Sequence, residues 1–348
     1  HAACENGSYK TVEFLLNKGA DVNMFLEEVG SPLHAACGLG NHKPVNKDIV
    51  KFLLDKGADV NSFSERLGSP LHYACENVEN ISEILIHYSA NIDSFSAQTG
   101  SPLYAACYGR RDEIVDLLLD KGANINKCSD HVGSPLYAAC VTGSDRNVRL
   151  LLAKGAEVNS FSEEVGSPIH GACIYGYKHI IQILLDSGAD VNSFSEQVGS
   201  PLHVACEYGT KDLSIVKLLS DRSANVNKFS RKCGTPLHAA CKSWNNEFVK
   251  ILLNKGADVN MRSDQIPSPL HVSCEHGNFE ITKILLDKGA EINQCLHDGI
   301  SPLYKAFQNG HDRIVKLLLK RGAIITSCFD NVVHPLIDNY RGLQDNAI

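Results

Sequence analysis

Histidine and cysteine recur together in this chain at a spacing that invites metal or nucleophile chemistry. His34/Cys37, His72/Cys75, His170/Cys173, His203/Cys206, His238/Cys241 and His271/Cys274 each hold the two residues three apart. On a helix that spacing brings imidazole and thiol near one another, as a zinc site or a Cys–His nucleophile pair requires. The frame itself argues against both. Tyr104, Tyr137 and Tyr304 stand where the histidine should be, a replacement a metal ligand would not tolerate. No Gly-rich phosphate loop, nucleophile elbow or paired-carboxylate pocket stands outside the frame. No catalytic residue, metal or cofactor is therefore expected, and no small-molecule substrate.

The elements that carry these residues are set by a beat of Ser or Thr, Pro, then Leu or Ile. Its prolines are Pro32, Pro70, Pro102, Pro135, Pro168, Pro201, Pro236, Pro269 and Pro302, spaced 38, 32, 33, 33, 33, 35, 33 and 33 apart. A fixed period near 33 makes the chain a stack of one repeated unit, in which each unit packs on its neighbours. The 348 residues thus do not require two or three separate cores.

Residues 101–133 show the unit. Ser101 is placed as an N-cap, with Pro102 at the first helical position where its missing N–H costs nothing. Leu103, Ala106 and Cys107 share one face of a short first helix. Gly109 opens a turn, and Ile114, Val115, Leu117, Leu118 and Leu119 make a second, more apolar helix that ends at Lys121-Gly122. Ala123-Asn124-Ile125-Asn126 then leads into a hairpin-like finger that returns at Val132-Gly133.

A hydrophobic content of 43% and a charged content of 21% are those of an ordinary folded protein. The net charge is −7 and the signs are interspersed, so no basic stripe is offered to nucleic acid. Nine of the 13 cysteines occupy one place in the repeat, from Cys4 and Cys37 to Cys274. A disulfide needs α-carbons within about 7 Å, whereas packed helices lie roughly 8–10 Å apart, so this column cannot pair with itself. Unpaired thiols in such number suggest a reducing compartment, cytosol or nucleus. No apolar run approaches the ~20 residues that span a bilayer, so no membrane insertion is expected. The chain begins at His1, inside a repeat and without a Met, as a piece of a longer protein would.

The stretches SPLHAAC (31–37), SPLYAAC (101–107 and 134–140), SPIHGAC (167–173), TPLHAAC (235–241) and LLDKGADVN (53–61) closely resemble the ankyrin repeat. The resemblance covers essentially the whole chain. It implies an all-α repeat solenoid of about ten units, gently curved, with fingers and first helices on the concave face. The organisation it implies is one ankyrin domain over 1–348. A partial repeat occupies 1–30, repeats start near 31, 69, 101, 134, 167, 200, 235, 268 and 301, and a degenerate half repeat fills 334–348. It also implies no catalytic activity, protein partners, and a histidine that bonds to the chain near the loops. Departures are a longer turn near Pro44, a short ENVEN turn, two extra residues at 211–213, and Ser89 and Ser223 in place of the helix-ending Gly.

Under that resemblance Asn23, Asn61, Asn159, Asn192, Asn260 and Asn293 are expected to tie one finger to the next. With an apolar residue eight positions earlier, such as Leu15 or Leu184, they also look like ankyrin substrates of asparaginyl hydroxylases. A mass shift on them would decide. Phe25, Phe63, Phe95, Phe161, Phe194 and Phe229 recur in the fingers as an exposed ladder or an internal, finger-stacking one. Residues that vary within the frame point best to a partner site. Leu39, Tyr108, Ile174, Tyr175, Tyr208 and His276 follow the cysteine on the first helix, and Trp244, the only Trp, replaces a turn Gly. Tyr and Trp are enriched at interface hot spots, although Tyr175 and Tyr208 could instead stack on each other.

The primary reading is a scaffold that binds a partner protein on its concave face. The alternative is the recognition or sensing arm of a larger protein, such as a ubiquitin-ligase adaptor or a nucleotide-switched receptor. The finger resembles those of some SOCS-box adaptors and long-array sensors, yet 327–348 shows no SOCS-like tail. A mechanical spacer is the third option.

Overall fold

The computed structural model describes residues 1–38, 46–77, 81–208, 212–263, 265–296 and 299–325. Leu39, Pro44, Lys211 and the segment 334–348 lie outside the described residues. Within them, regular structure consists of twenty helices and no sheet. Two compact units form: His1–Ala172 with His179–Asp190, and Cys173–Lys178 with Val191–Ile348.

Both units alternate a short first helix with a second one. Each Ser-Pro or Thr-Pro starts a first helix at the proline, as at Pro102–Tyr108, Pro135–Thr142, Pro201–Glu207 and Pro236–Lys242. The reason is local. Ser101 is extended (φ −110°, ψ 163°) and its hydroxyl accepts the Tyr104 backbone N–H at 3.1 Å, while Pro102 supplies a helical φ and no orphan donor. The small residues Ala105, Ala106 and Cys107 let the next first helix approach, and all three are buried. In the first unit Pro70–Asn77 packs on Pro102–Tyr108, and that on Pro135–Thr142. The second unit repeats the order through Pro201–Glu207, Pro236–Lys242, Pro269–His276 and Pro302–Gln308.

The second helices bury an i, i+1, i+4 stripe, such as Ile114, Val115 and Leu118 in Asp112–Asp120. The expected left-handed ends at Ser89 (φ 67°) and Ser223 (φ 66°) are present, although neither residue is glycine. Among the described residues seven fingers, from Leu26–Gly30 to Ser230–Gly234, close with an antiparallel bridge, for example Ser129 to Gly133, with N–H to carbonyl distances of 3.1 and 2.8 Å.

The fingers are also tied by a serine that sequence reasoning passed over. The Ser162 hydroxyl donates to the Asp130 carbonyl of the preceding finger at 2.5 Å, and Ser230 donates to the Glu196 carbonyl at 3.1 Å. Ser96 donates likewise to the Glu65 carbonyl and Ser129 to that of Ala97. The same oxygen accepts backbone N–H groups of its own turn, as Ser162 does from Glu164 at 3.2 Å. One buried hydroxyl thus closes a turn and fixes the spacing to its neighbour. The signal was present as a Phe-Ser pair repeated through Ser64, Ser96, Ser162, Ser195 and Ser230.

The finger phenylalanines form no internal ladder of ring stacked on ring. Phe25, Phe63 and Phe161 sit near 40% exposure, and no two of the finger rings pair among the described residues. Phe25 meets the edge of His34 at 6.1 Å, and Phe194 meets His203 at 6.5 Å. Lysines of the following finger cover two rings, Lys127 over Phe95 at 5.0 Å and Lys228 over Phe194 at 4.3 Å.

Candidate protein-binding surface

The His-x-x-Cys residues are structural. In His203 the Nδ1 atom accepts the Ser200 backbone N–H at 3.0 Å, which leaves the proton on Nε2 to donate to the Gly234 carbonyl at 3.0 Å. His72 does the same with Ser69 (2.9 Å) and Gly100 (3.1 Å), and His238 with Thr235 (3.0 Å) and Pro267 (2.9 Å). One neutral imidazole thus caps its own helix and grips the next finger. Burial disfavours the charged ring, lowering His72, His203, His238 and His271 to about 4. Gly199 must precede this ring closely: at φ 85°, a Cβ there would lie 2.7 Å from the His203 ring.

The cysteine column fills the helix interface. Cys37, Cys75, Cys107, Cys140, Cys206, Cys241 and Cys274 are buried to 1% exposure or less. Burial pushes the thiols of Cys37, Cys107, Cys206 and Cys241 up, and those of Cys75 and Cys274 to about 12, which disfavours a reactive thiolate. Among the described residues eleven cysteines are free, Cys295 is disulfide-bonded, and no group of three potential ligands is placed to hold a metal. No helix among them is long and apolar enough to cross a membrane.

The asparagines are bridges. Asn159 Oδ1 accepts the Asp190 N–H at 2.8 Å while its Nδ2 donates to the Gly188 carbonyl at 3.1 Å. Asn23, Asn61, Asn192, Asn260 and Asn293 repeat both bonds with the following turn, their Oδ1 contacts falling between 2.7 and 2.9 Å. Each amide uses acceptor and donor to join two repeats.

The variable residues behave differently. Tyr108 is 49% exposed on the first unit. On the second unit Tyr175 is 49%, Tyr208 60% and Trp244 58% exposed, His276 is exposed and Ile174 half-buried. All stand at the C-terminal ends of first helices or in the turn that follows. Tyr175 stacks on Tyr177 at 6.1 Å and 20°, not on Tyr208. The Glu207 charge pushes the Tyr208 phenol up.

Trp244 has a further peculiarity. Its φ is 59°, in the left-handed region, at a turn position that Gly143, Gly176, Gly277 and Gly310 fill elsewhere with φ of 71–77°. A bulky L-residue there costs about 1–2 kcal/mol. Arg110 (φ 56°) is the other exception. There the preceding Gly109 cannot be replaced, because a Cβ would sit 2.5 Å from the Glu76 carbonyl.

Helix-turn-helix units joined by bridged fingers, capped by Ser-Pro and tied by His and Asn, define a repeat solenoid of the ankyrin kind. The family model for ankyrin repeats (three copies) matches residues 1–96, 46–128, 105–195, 169–263 and 261–327, and the chain belongs to this family. Among solved structures it is similar to the human ASB11 ankyrin repeat domain, at 28% identity and a TM-score of 0.54. That match covers 63% of this chain and 97% of the other. No curated protein matches the chain. Ankyrin repeats generally mediate protein–protein interaction, and the fold is typically non-catalytic.

Proposed function

We propose that this chain binds a partner protein through its first-helix face, the concave face of ankyrin arrays, with Tyr175, Tyr208 and Trp244 as anchors in the second unit. The observation that carries this is Trp244, a large exposed aromatic in a backbone conformation that its sister turns give to glycine. Strain retained by a large exposed aromatic supports a functional reading. Tyr and Trp supply large contact area with few rotatable bonds, which suits them as anchors. Ile174 and His276 flank them as lesser contacts, and Tyr108 serves the first unit. The net charge of −7 supports a protein rather than a phosphate backbone as partner.

The test compares proteins retained by the wild-type chain with those retained by a Tyr175→Ala/Tyr208→Ala/Trp244→Ala variant of unchanged thermal stability. Loss of a specific, saturable partner in the variant is expected. Equal affinity for that partner would reject the site.

A further inference from the structure

Several departures from the repeat meet in one groove of the first unit. Tyr73 stands where the neighbouring first helices hold Ala35 and Ala105, and Thr99 where the neighbouring fingers hold Leu67 and Val132. Tyr104 takes the place of the buried histidine. With Glu76 and Tyr108 these three line a half-open groove of about 310 Å3 whose remaining walls are Leu67, His72, Gln98, Ala105 and Val132. The Tyr104 and Tyr108 rings lie nearly parallel, 11° apart with centroids at 6.1 Å.

Two polar side chains of this groove make no hydrogen bond to the described residues of the protein. Thr99 Oγ1 is buried without a hydrogen bond. Glu76 is half-buried, and none of the hydrogen bonds or ion pairs of the described residues engages its carboxylate. Burial raises its carboxyl, opposed by the charge of Arg111, whose Nε is spent on the Glu76 backbone carbonyl at 3.0 Å. Burial pushes up the phenols of Tyr73 and Tyr104, and the Glu76 charge adds to the rise. An acceptor thus stands among aromatic rings, and the chemistry it calls for is a donor with a cationic, flat head.

We propose that this groove receives an arginine side chain of a partner protein, its guanidinium stacked on the Tyr104–Tyr108 pair and hydrogen-bonded to Glu76. A guanidinium stacks on aromatic faces and offers a carboxylate two parallel N–H donors, which a lysine ammonium does not. Its aliphatic stem matches the Leu67 and Val132 walls. An apolar side chain would bury Glu76 and Thr99 unpaired, and an acidic one would be repelled. The volume falls at the small end of ligand pockets, the scale of one anchoring side chain rather than an extended ligand. This rests on the protein-binding reading but lies in a different unit from its three anchors, sharing only Tyr108 with it.

The experiment is selection of a phage-displayed random nonapeptide library on the purified chain, followed by anisotropy titration of the selected peptides. Arginine enriched at one position is expected. Changing that arginine to citrulline, or Glu76→Gln in the protein, should weaken binding by about tenfold or more, the scale of one hydrogen bond to a charged group. Tyr108→Ala, at an exposed residue, should act likewise and serves where Glu76→Gln lowers stability; Tyr208→Ala should have no effect. Peptides without a cation, no enrichment, or arginine peptides bound equally by Glu76→Gln would overturn the proposal. If selected peptides need Tyr208 and Trp244 but not Glu76, the groove assignment fails while the protein-binding reading stands.

Discussion

Lowering the pH from 6 to 5 should loosen the second unit sharply, and the size of the effect follows from three imidazoles. His203, His238 and His271 are fully buried, and their folded pKa of about 4 lies below the ordinary value of about 6.5. Above the ordinary value both folded and unfolded chains hold them neutral. Between about 6.5 and 4 the unfolded chain takes up protons that the folded chain refuses, so stability falls as pH falls. Well inside that window each ring gives about 1.4 kcal/mol per pH unit. From pH 6 to 5 the three together cost roughly 3–4 kcal/mol, a large part of an ordinary domain's 5–15 kcal/mol. Ordinary carboxylates titrate nearer 4, so the window isolates the histidines. The structural reason is that Nδ1 of His203 and His238 accepts a Ser or Thr backbone N–H, and protonation removes that acceptor. Guanidinium unfolding at pH 7.5, 6 and 5, followed by circular dichroism and by Trp244, the only Trp, reads the change. His203→Tyr, a residue the frame already uses at Tyr104, Tyr137 and Tyr304, should remove about a third of the slope. A stability that is flat or rising from pH 6 to 5 would refute the reasoning.

Other outcomes follow from backbone and bridge geometry. Ser89→Gly and Ser223→Gly should each stabilise by roughly 0.5 kcal/mol, the relief of a left-handed L-residue less the flexibility glycine adds to the unfolded chain; thermal melts check this, and the carbonyls that Asn61 and Asn192 grip are retained. Trp244→Gly should leave stability unchanged or raise it by up to about 1 kcal/mol while weakening partner binding, a combination that calorimetry with titration detects. Asn159→Ala should cost about 1–3 kcal/mol by freeing the Asp190 N–H and the Gly188 carbonyl, seen as faster hydrogen exchange at residues 188–190.

Much of the fold was legible because one physical cause recurs at each beat. Ser-Pro dictates a helix start wherever it stands, and Pro102, Pro135 and Pro201 open helices as their context requires. The asparagines were readable as ties for the same reason. The finger serines were visible but unread, since a hydroxyl signals nothing until a carbonyl of the next finger is known to lie within reach of it. The phenylalanines left two alternatives open; no stacked ladder forms, and lysine ammonium groups of the following finger cover Phe95 and Phe194. The groove was harder still. Tyr73 and Thr99 were plain substitutions in the sequence, 26 residues apart, and only their packing shows that both line one groove with Glu76. Trp244 could be seen to replace a turn glycine, and its backbone gave that replacement a cost.

The central claim is that the first-helix face engages a partner protein. Hydroxyl-radical footprinting of the chain with and without its saturating partner tests this most directly, since Tyr175, Tyr208 and Trp244 are reactive rings exposed by about half or more. The account predicts that these three are protected in the complex while exposed residues of the second helices, such as Glu280, keep their reactivity. Unchanged oxidation of Tyr175, Tyr208 and Trp244, with protection confined to the second helices, would contradict it.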